Sequence, residues 1–438
     1  MRRFARRCGV VKRSVARQAR LLRIARRQMC AEFLEFGRMW GRVLPVLGKG
    51  GTHCMLKSLE IQNFRSCLKA TLPLNSQVVA LVGRNGVGKT NVLRAVEWLA
   101  KAASGSELPA SFNRLQEAPL TMQATIGIAG RILEYHIEYC YGLDKEKEIE
   151  TDLIERLIVP AAKEEVFVRK NEKVRVKGLA NHIRIGRKTP AISALLSLLP
   201  WGYPVRRQLV EVKRLFSSVT YYPAESGTIS DTPIIEEADY QSWLQKHSSE
   251  GGAGDSVEFR LLHMWRKDRP LFDELNALLG NEGLRLAKVI VCSTDRKHAE
   301  KNIYFIKFEP LSGVAGAGGR FDFSDLSAGT RRVIAVLVSL LFDKRALMLV
   351  EEPEDSIHPG LLRKLIGIIR TYSHRTRFVR ATHSPHVIDM LRPEELLLLE
   401  APNGNTKIRG LAPKELKACR QFLENEGALS EFLEVVEE

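Results

Sequence analysis

The run Gly83-Arg84-Asn85-Gly86-Val87-Gly88-Lys89-Thr90 constrains this chain more than any other feature, because it fits the pattern G-x-x-x-x-G-K-[ST]. Its glycines let successive backbone N–H groups converge on phosphate oxygens, which side chains would block. In this pattern Lys89 reaches the β- and γ-phosphates of a nucleotide, and the Thr90 hydroxyl ligates Mg²⁺. The pattern requires a strand before it and a helix after it. Gln77–Val82 is a short apolar strand, and Lys89–Ala102 reads as a helix whose positive N-terminus faces the anion.

Three further stretches carry chemistry. Ala346-Leu347-Met348-Leu349-Val350-Glu351-Glu352-Pro353 is an apolar strand that delivers two carboxylates at its C-terminal end, where open α/β sheets place ligands. Glu351 is assigned to the Mg²⁺ shell and Glu352 to the base that orients or deprotonates the attacking water. Phe323–Arg331 (FSDLSAGTR) sets a Ser and a Gly at the mouth of a helix expected over Thr330–Phe342. Asp325 and Ser327 there fit simple helix caps, and the same mouth fits a second γ-phosphate cradle. Ala381-Thr382-His383-Ser384-Pro385 places His383 at another strand end, in reach of a γ-phosphate or of the water.

In this order the motifs resemble the ABC-type ATPase heads, and more narrowly the stand-alone AAA-family ATPases of the RecF/SMC/OLD-like group. Asn63-Phe64-Arg65-Ser66 matches the opening of that group, and Asp355-Ser356-Ile357-His358-Pro359 stands at its D-loop position. The resemblance covers residues 55–100 and 323–400 closely and the interval between them hardly at all. It implies an α/β P-loop NTPase fold: an ABC head with a mixed or parallel sheet flanked by helices, and an α+β insertion lobe. It implies ATP and Mg²⁺ as ligands, with Arg65, Ser66, Asn85, Gly86, Gly88, Lys89, Thr90 and Asn91 around the nucleotide, Glu352 and His383 catalytic, and Thr90 and Glu351 on the metal. It also implies a head-to-tail homodimer or higher oligomer, in which Ser327, Gly329 and Arg331 of one copy complete the site of the other, with His358 in the D-loop. Two residues depart from the usual pattern: Glu351 replaces an Asp, and Ala328 stands where transporters have Gly. No Q-loop glutamine is assigned.

The organisation expected from these motifs is an ATPase core over 55–102 and 323–400, an insertion lobe over 103–322 and a helical tail over 401–438. Residues 1–54 carry fourteen Lys and Arg against two Asp and Glu, so +12 of the total net charge of +16 lies there. An organelle presequence, a phosphate-binding arm and an upstream extension before a working start at Met55 all fit that composition, and the extension is preferred. Apolar runs are core-sized, and seven cysteines include no C-x-x-C pair, which together predict a soluble cytoplasmic protein without disulfides. Val166–Ile185 alternates apolar residues with Lys and Arg. An ordinary solvated face and a DNA-facing hairpin using Arg169, Lys170, Lys173, Arg175 and Lys177 both fit it. The 238 residues from Lys89 to Ser327 disfavour a transporter, the absence of heptads disfavours an SMC coiled coil, and the 55 residues after His383 are too few for a TOPRIM nuclease domain. Two functions remain. One is an ATPase that controls a DNA-linked activity of a separate effector, such as a nuclease, in phage defence or repair. The other is a protein-binding regulatory ATPase with no nucleic-acid contact.

Overall fold

The computed structural model describes residues 54–105, 107–109, 118–143, 149–222, 234–250, 257–280, 283–294, 302–311, 319–343, 345–354, 357–372, 376–425 and 427–437. The basic stretch 1–54, but for Cys54, and the loops expected at 250–255 and 313–319, but for Glu250 and Gly319, lie outside them.

The chain begins with β1 (Cys54–Phe64), β2 (Cys67–Pro73) and β3 (Val78–Val82), and the phosphate loop then leads into α1 (Lys89–Ser104). There follow β4 (Leu120–Ile128), β5 (Arg131–Leu143), β6 (Ile149–Val159), β7 (Glu164–Lys170), β8 (Lys173–Val176) and β9 (Ile183–Arg184). Helices α2 (Ala191–Leu198) and α3 (Arg206–Ser217) precede β10 (Val219–Tyr222) and β11 (Ile235–Glu236). Then come α4 (Glu237–Glu250), α5 (Val257–Lys267), α6 (Arg269–Leu279), β12 (Ala287–Ser293) and β13 (Ile303–Pro310). The remainder alternates as α7 (Ala328–Val338), β14 (Leu347–Glu351), α8 (Pro359–Tyr372), β15 (Arg377–Thr382), α9 (Pro385–Ile388), β16 (Leu396–Glu400) and β17 (Lys407–Arg409). It closes with α10 (Pro413–Asn425) and α11 (Leu429–Glu437).

The site is carried by a six-stranded sheet in the order β10-β14-β15-β3-β16-β17, parallel except for β17. Its central strands are near-continuous apolar runs, VVALV in β3 and LMLVE in β14, and every residue of both is buried. Such runs belong to strands covered on both faces. Alternate side chains serve opposite layers. Val79, Leu81, Leu347, Leu349, Val379 and Ala381 join one core, which includes α1, α2 and α3. Ala80, Val82, Leu396 and Leu398 join another, against Ile388, Leu391 and the α11 residues Phe432 and Leu433.

On the far side of α1 lies an eight-stranded antiparallel sheet, β2-β1-β4-β5-β6-β7-β8-β9. Trp98 of α1 meets Tyr139 of β5, with ring centroids 6.4 Å apart. Helix α1 is therefore packed between two sheets, which is why most of its positions are apolar rather than one stripe. The hairpin β4–β5 turns through Ala129 and Gly130, both at positive φ (49° and 78°), as a two-residue turn that follows the strand twist requires. A third, three-stranded sheet has the order β11-β13-β12.

The segment 103–322, expected as an insertion lobe, contributes strands to all three sheets. Strands β4–β9 extend the sheet begun by β1 and β2, and β10 is an edge of the parallel sheet. Ser256–Leu279, expected as one helical stretch, is two helices broken at Asp268, whose side chain caps α6 at Leu271 N (3.3 Å), with Pro270 in its first turn. Helix α7 ends in a π turn over Ser339–Asp343.

One expectation about the basic hairpin is corrected. Arg169 cannot face DNA, because it is 0% exposed and pairs with Glu155 at 2.6 Å. Its remaining donors bond the carbonyls of Asn171, Gly186, Arg187 and Thr189. The reason is strand parity: Phe167 and Arg169 face inward, while Val168 and Lys170 face outward. Arg175 pairs with Glu165, and Lys177 lies 2.7 Å from Glu164.

Candidate functional site

Three neighbouring parallel strands, β14, β15 and β3, end together. Their register pairs Glu351 with Ala381 and Thr382 with Val82. That alignment brings the residues after β14 (Glu352, Pro353, Glu354), those after β15 (His383, Ser384) and the phosphate loop after β3 to one edge of the sheet, where α/β folds bind ligands.

The loop is shaped for an anion. Gly86 (φ 84°) and Gly88 (φ 99°) adopt left-handed conformations, and a Cβ on Gly86 would meet open space. Gly88 is the N-cap of α1 and provides no side-chain cap, and the first turn holds no acidic residue, so the helix N-terminus keeps its N–H groups for a phosphate. Lys89, 7% exposed, folds back to donate to Gly83 O (2.7 Å) and Arg84 O (2.9 Å). Burial pulls its ammonium below the ordinary lysine value, and Glu352, Glu354 and Glu351 pull it back up.

Beneath the loop lies a polar joint. Asn91 Nδ2 donates to Ser66 Oγ (2.7 Å), and Arg65 Nη1 donates to Asn91 Oδ1 (3.4 Å). Thr406 Oγ1 lies 2.7 Å from Ser66 Oγ and donates to Val87 O (2.8 Å), while Thr406 N donates to Ser66 O (2.9 Å). A Cβ on Gly88 would overlap Thr406 Oγ1 and fall 2.5 Å from Ser66 Oγ. Asn63 and Arg65 sit at positive φ (57° and 48°), where the chain turns from β1 to β2, and Asn63 Nδ2 is anchored to Ala118 O (2.6 Å). Arg65, Ser66 and Asn91 thus lie against the loop, whereas Asn85 and Thr90 are exposed on it.

Glu351 is buried at the end of β14, and its Oε2 accepts a hydrogen bond from Tyr221 OH (2.7 Å). Glu352 adopts φ 39°, an uncommon conformation for a residue with a side chain, and its N–H donates to Ala381 O (2.9 Å). The turn carries its carboxylate to 3.3 Å from His383 Nδ1. Glu354 Oε1 accepts from Thr382 Oγ1 (2.5 Å), which also accepts from Ser384 N (3.1 Å). A hydroxyl at Thr90 and a carboxylate at Glu351 are hard oxygen donors of the kind Mg²⁺ takes.

The other expected residues are not part of this cluster. Ser327 is exposed and caps its own helix, accepting from Thr330 N (3.2 Å), with Gly329 and Arg331 in the first turn behind it. Asp325 does not cap α7, and its Oδ2 accepts instead from Asp322 N (2.9 Å). His358 is exposed at the start of α8 and accepts from Gly360 N (3.2 Å). Residues that contact the site without an assigned role include Thr406, Tyr221 and Glu354. Glu354 follows directly on the Glu351-Glu352-Pro353 run. Tyr221 sits in Val219-Thr220-Tyr221-Tyr222, whose β-branched and aromatic composition marks a strand. Nothing local marks Thr406, whose partner Ser66 is 340 positions away.

Parts of the chain match known ATPase domains in sequence. Residues 55–190 match the family described as "AAA ATPase domain", and residues 261–389 match "AAA domain, putative AbiEii toxin, Type IV TA system". A 54-residue stretch is 43% identical to "Chromosome partition protein Smc" of Bordetella petrii, covering 12% of this chain and 5% of that protein. A 95-residue stretch is 34% identical to "DNA replication and repair protein RecF" of Clostridioides difficile, covering 21% of this chain and 24% of that protein. The chain therefore spans only a minor part of either relative's length. Among solved structures, an Smc head bound to the C-terminal winged-helix domain of ScpA has a TM-score of 0.46 at 13% identity, over 83% of this chain and 99% of that one. The SMC head of Thermotoga maritima has a TM-score of 0.39 at 12% identity, over 82% and 99%. The ordered motifs, the two ATPase-domain matches and the two sequence relatives support an ABC-type ATPase similar to the RecF/SMC-like group.

Proposed function

We propose that this chain binds ATP with Mg²⁺, hydrolyses it, and closes head-to-tail with a second copy in doing so. The observation that supports this best is the meeting of Lys89, Glu351, Glu352 and His383 at the ends of three adjacent strands. Lys89 exchanges the carbonyls of Gly83 and Arg84 for phosphate oxygens, and the N–H groups of Gly86–Thr90 hold the rest of the anion. Thr90 and Glu351 hold Mg²⁺, which when bound offsets charge on the phosphates. Glu352 accepts the proton of the attacking water, and His383 holds that carboxylate in place. Ser327, exposed at the mouth of α7, is free to face the nucleotide of a second copy. Glu352→Gln tests the reading: hydrolysis should fall about 10²–10⁴-fold while ATP binding persists. Normal turnover in that variant would remove Glu352 as the base.

The role we infer for this cycle is control of a separate effector that acts on DNA, such as a nuclease in repair or phage defence. The names of the Smc and RecF relatives support that direction. One observation favours the second reading, a regulatory ATPase that contacts only protein. The hairpin face is partly neutralised, with Arg169 buried and Arg175, Lys177 and Arg187 paired to Glu165, Glu164 and Glu172. DNA binding that requires ATP and weakens steeply with salt would decide for the first.

A further inference from the structure

Strand β10 comes from the middle of the chain, far in sequence from every recognised motif, yet it forms the edge of the site sheet beside β14. Its register pairs Tyr221 with Leu349, which sets Tyr221 on the same face as Leu347, Leu349 and Glu351. From there the phenol reaches along the strand and donates to Glu351 Oε2 at 2.7 Å. The ring is held from the other side by the Arg94 guanidinium of α1, 4.7 Å from its centroid.

Position 351 needs such support. A glutamate has one more methylene and one more torsion than the aspartate usual at this point of the motif. Its carboxylate therefore sweeps a wider arc and must be fixed before it can serve a metal shell. A carboxylate oxygen that accepts one hydrogen bond still has a lone pair to offer, so the phenol and a metal-bound water can share the group.

We propose that Tyr221 is a positioning residue for the metal site: it holds the longer Glu351 arm in the rotamer from which the carboxylate serves Mg²⁺ beside Thr90. This rests on the ATPase reading and adds to it a residue from outside the motif blocks. Charge-assisted hydrogen bonds of this kind are strong enough that their loss is read as about a tenfold effect.

The test is Mg²⁺ titration of the binding of a fluorescent ATP analogue to the full chain, for the parent, Tyr221→Phe, Glu351→Asp and the double variant. Tyr221→Phe should raise the half-saturating Mg²⁺ concentration about tenfold and leave analogue affinity in EDTA within about twofold. On the Glu351→Asp background the shorter arm is out of the phenol's reach, so adding Tyr221→Phe should change the half-point less than about twofold. Arg94→Met, which frees the ring without removing the hydroxyl, should give a smaller rise in the same direction. A Tyr221→Phe half-point equal to the parent's, or effects that multiply fully in the double variant, would overturn the proposal. A parent that binds no analogue with or without Mg²⁺ would instead overturn the ATPase reading beneath it.

Discussion

Gly88 has no room for a side chain, and the residue that takes the space is Thr406. Its hydroxyl joins Val87 O to Ser66 Oγ, so the turn before β17 holds the phosphate loop from below. Thr406→Val keeps the shape and removes the hydroxyl, leaving the Val87 carbonyl without this donor. We expect a loss of about 1–3 kcal/mol in stability, and weaker nucleotide binding because the loop is no longer held. Thr406→Ser, which restores the hydroxyl, should recover the binding in a side-by-side titration. If Ser fails as Val does, the hydroxyl alone does not hold the loop and the methyl packing is needed with it. At this scale the sequence was readable where function imposes a residue type at fixed spacing, as in Gly86, Gly88 and Lys89. It was silent where a generic Thr or Tyr acquires its partner only through the fold. Thr406 and Tyr221 reach the site from opposite ends of the parallel sheet, and no local pattern announces either.

At the scale of elements, periodicity carried most of what was legible. The apolar runs of β3, β14 and β16, the alternation in β4 and the amphipathic α8 all report which faces are covered. The same alternation was insufficient in β7, because a basic residue at an inward position looks like any other until its partner is known. Glu155, which neutralises Arg169, lies directly across the ladder on β6, fourteen positions earlier in the chain. The pair makes a sharp prediction. Arg169→Met should cost about 3–5 kcal/mol in denaturant unfolding, because Glu155 is left buried without its cation. Lys170→Gln and Lys173→Gln, on the exposed face, should each stay within about 0.5 kcal/mol. Burial already raises the Glu155 carboxyl above its ordinary value, against the pull of Arg169. Removing Arg169 raises it further, so the folded variant binds a proton more readily than the unfolded chain does. Its stability is then greatest below the ordinary carboxylate range and falls as pH rises through the raised value. The gap between parent and variant should accordingly narrow on acidification, and a gap that widens would mean that Glu155 is not the group left unpaired. Charge neutralisation aimed at a DNA-binding face should therefore spare Arg169, since its loss would be read as lost folding.

For the whole molecule, the decisive feature is that Ser327 bonds within its own helix mouth and not to the cluster. Lys89, Glu352 and His383 gather at one sheet edge, while the Ser327 hydroxyl is exposed and bonded within the mouth of α7. If one copy supplies the phosphate loop and the other supplies Ser327, the two halves can be disabled separately. Lys89→Ala should abolish hydrolysis by removing the phosphate cation, and Ser327→Arg should abolish it by blocking the facing surface. In a dimer formed from one of each, the first site has lost both its Lys89 and its incoming Ser327. The second site keeps Lys89 from the Ser327→Arg copy and Ser327 from the Lys89→Ala copy. An equimolar mixture assorts at random, so half its dimers are mixed and each of those has one intact site of two. The mixture should recover about a quarter of the parental rate if the sites act independently. Recovery that appears only on mixing cannot come from a site built within one chain. A mixture as inactive as its parts, formed under conditions where sedimentation shows mixed dimers, would mean that Ser327 serves its own copy or none, and the head-to-tail arrangement would fail with it.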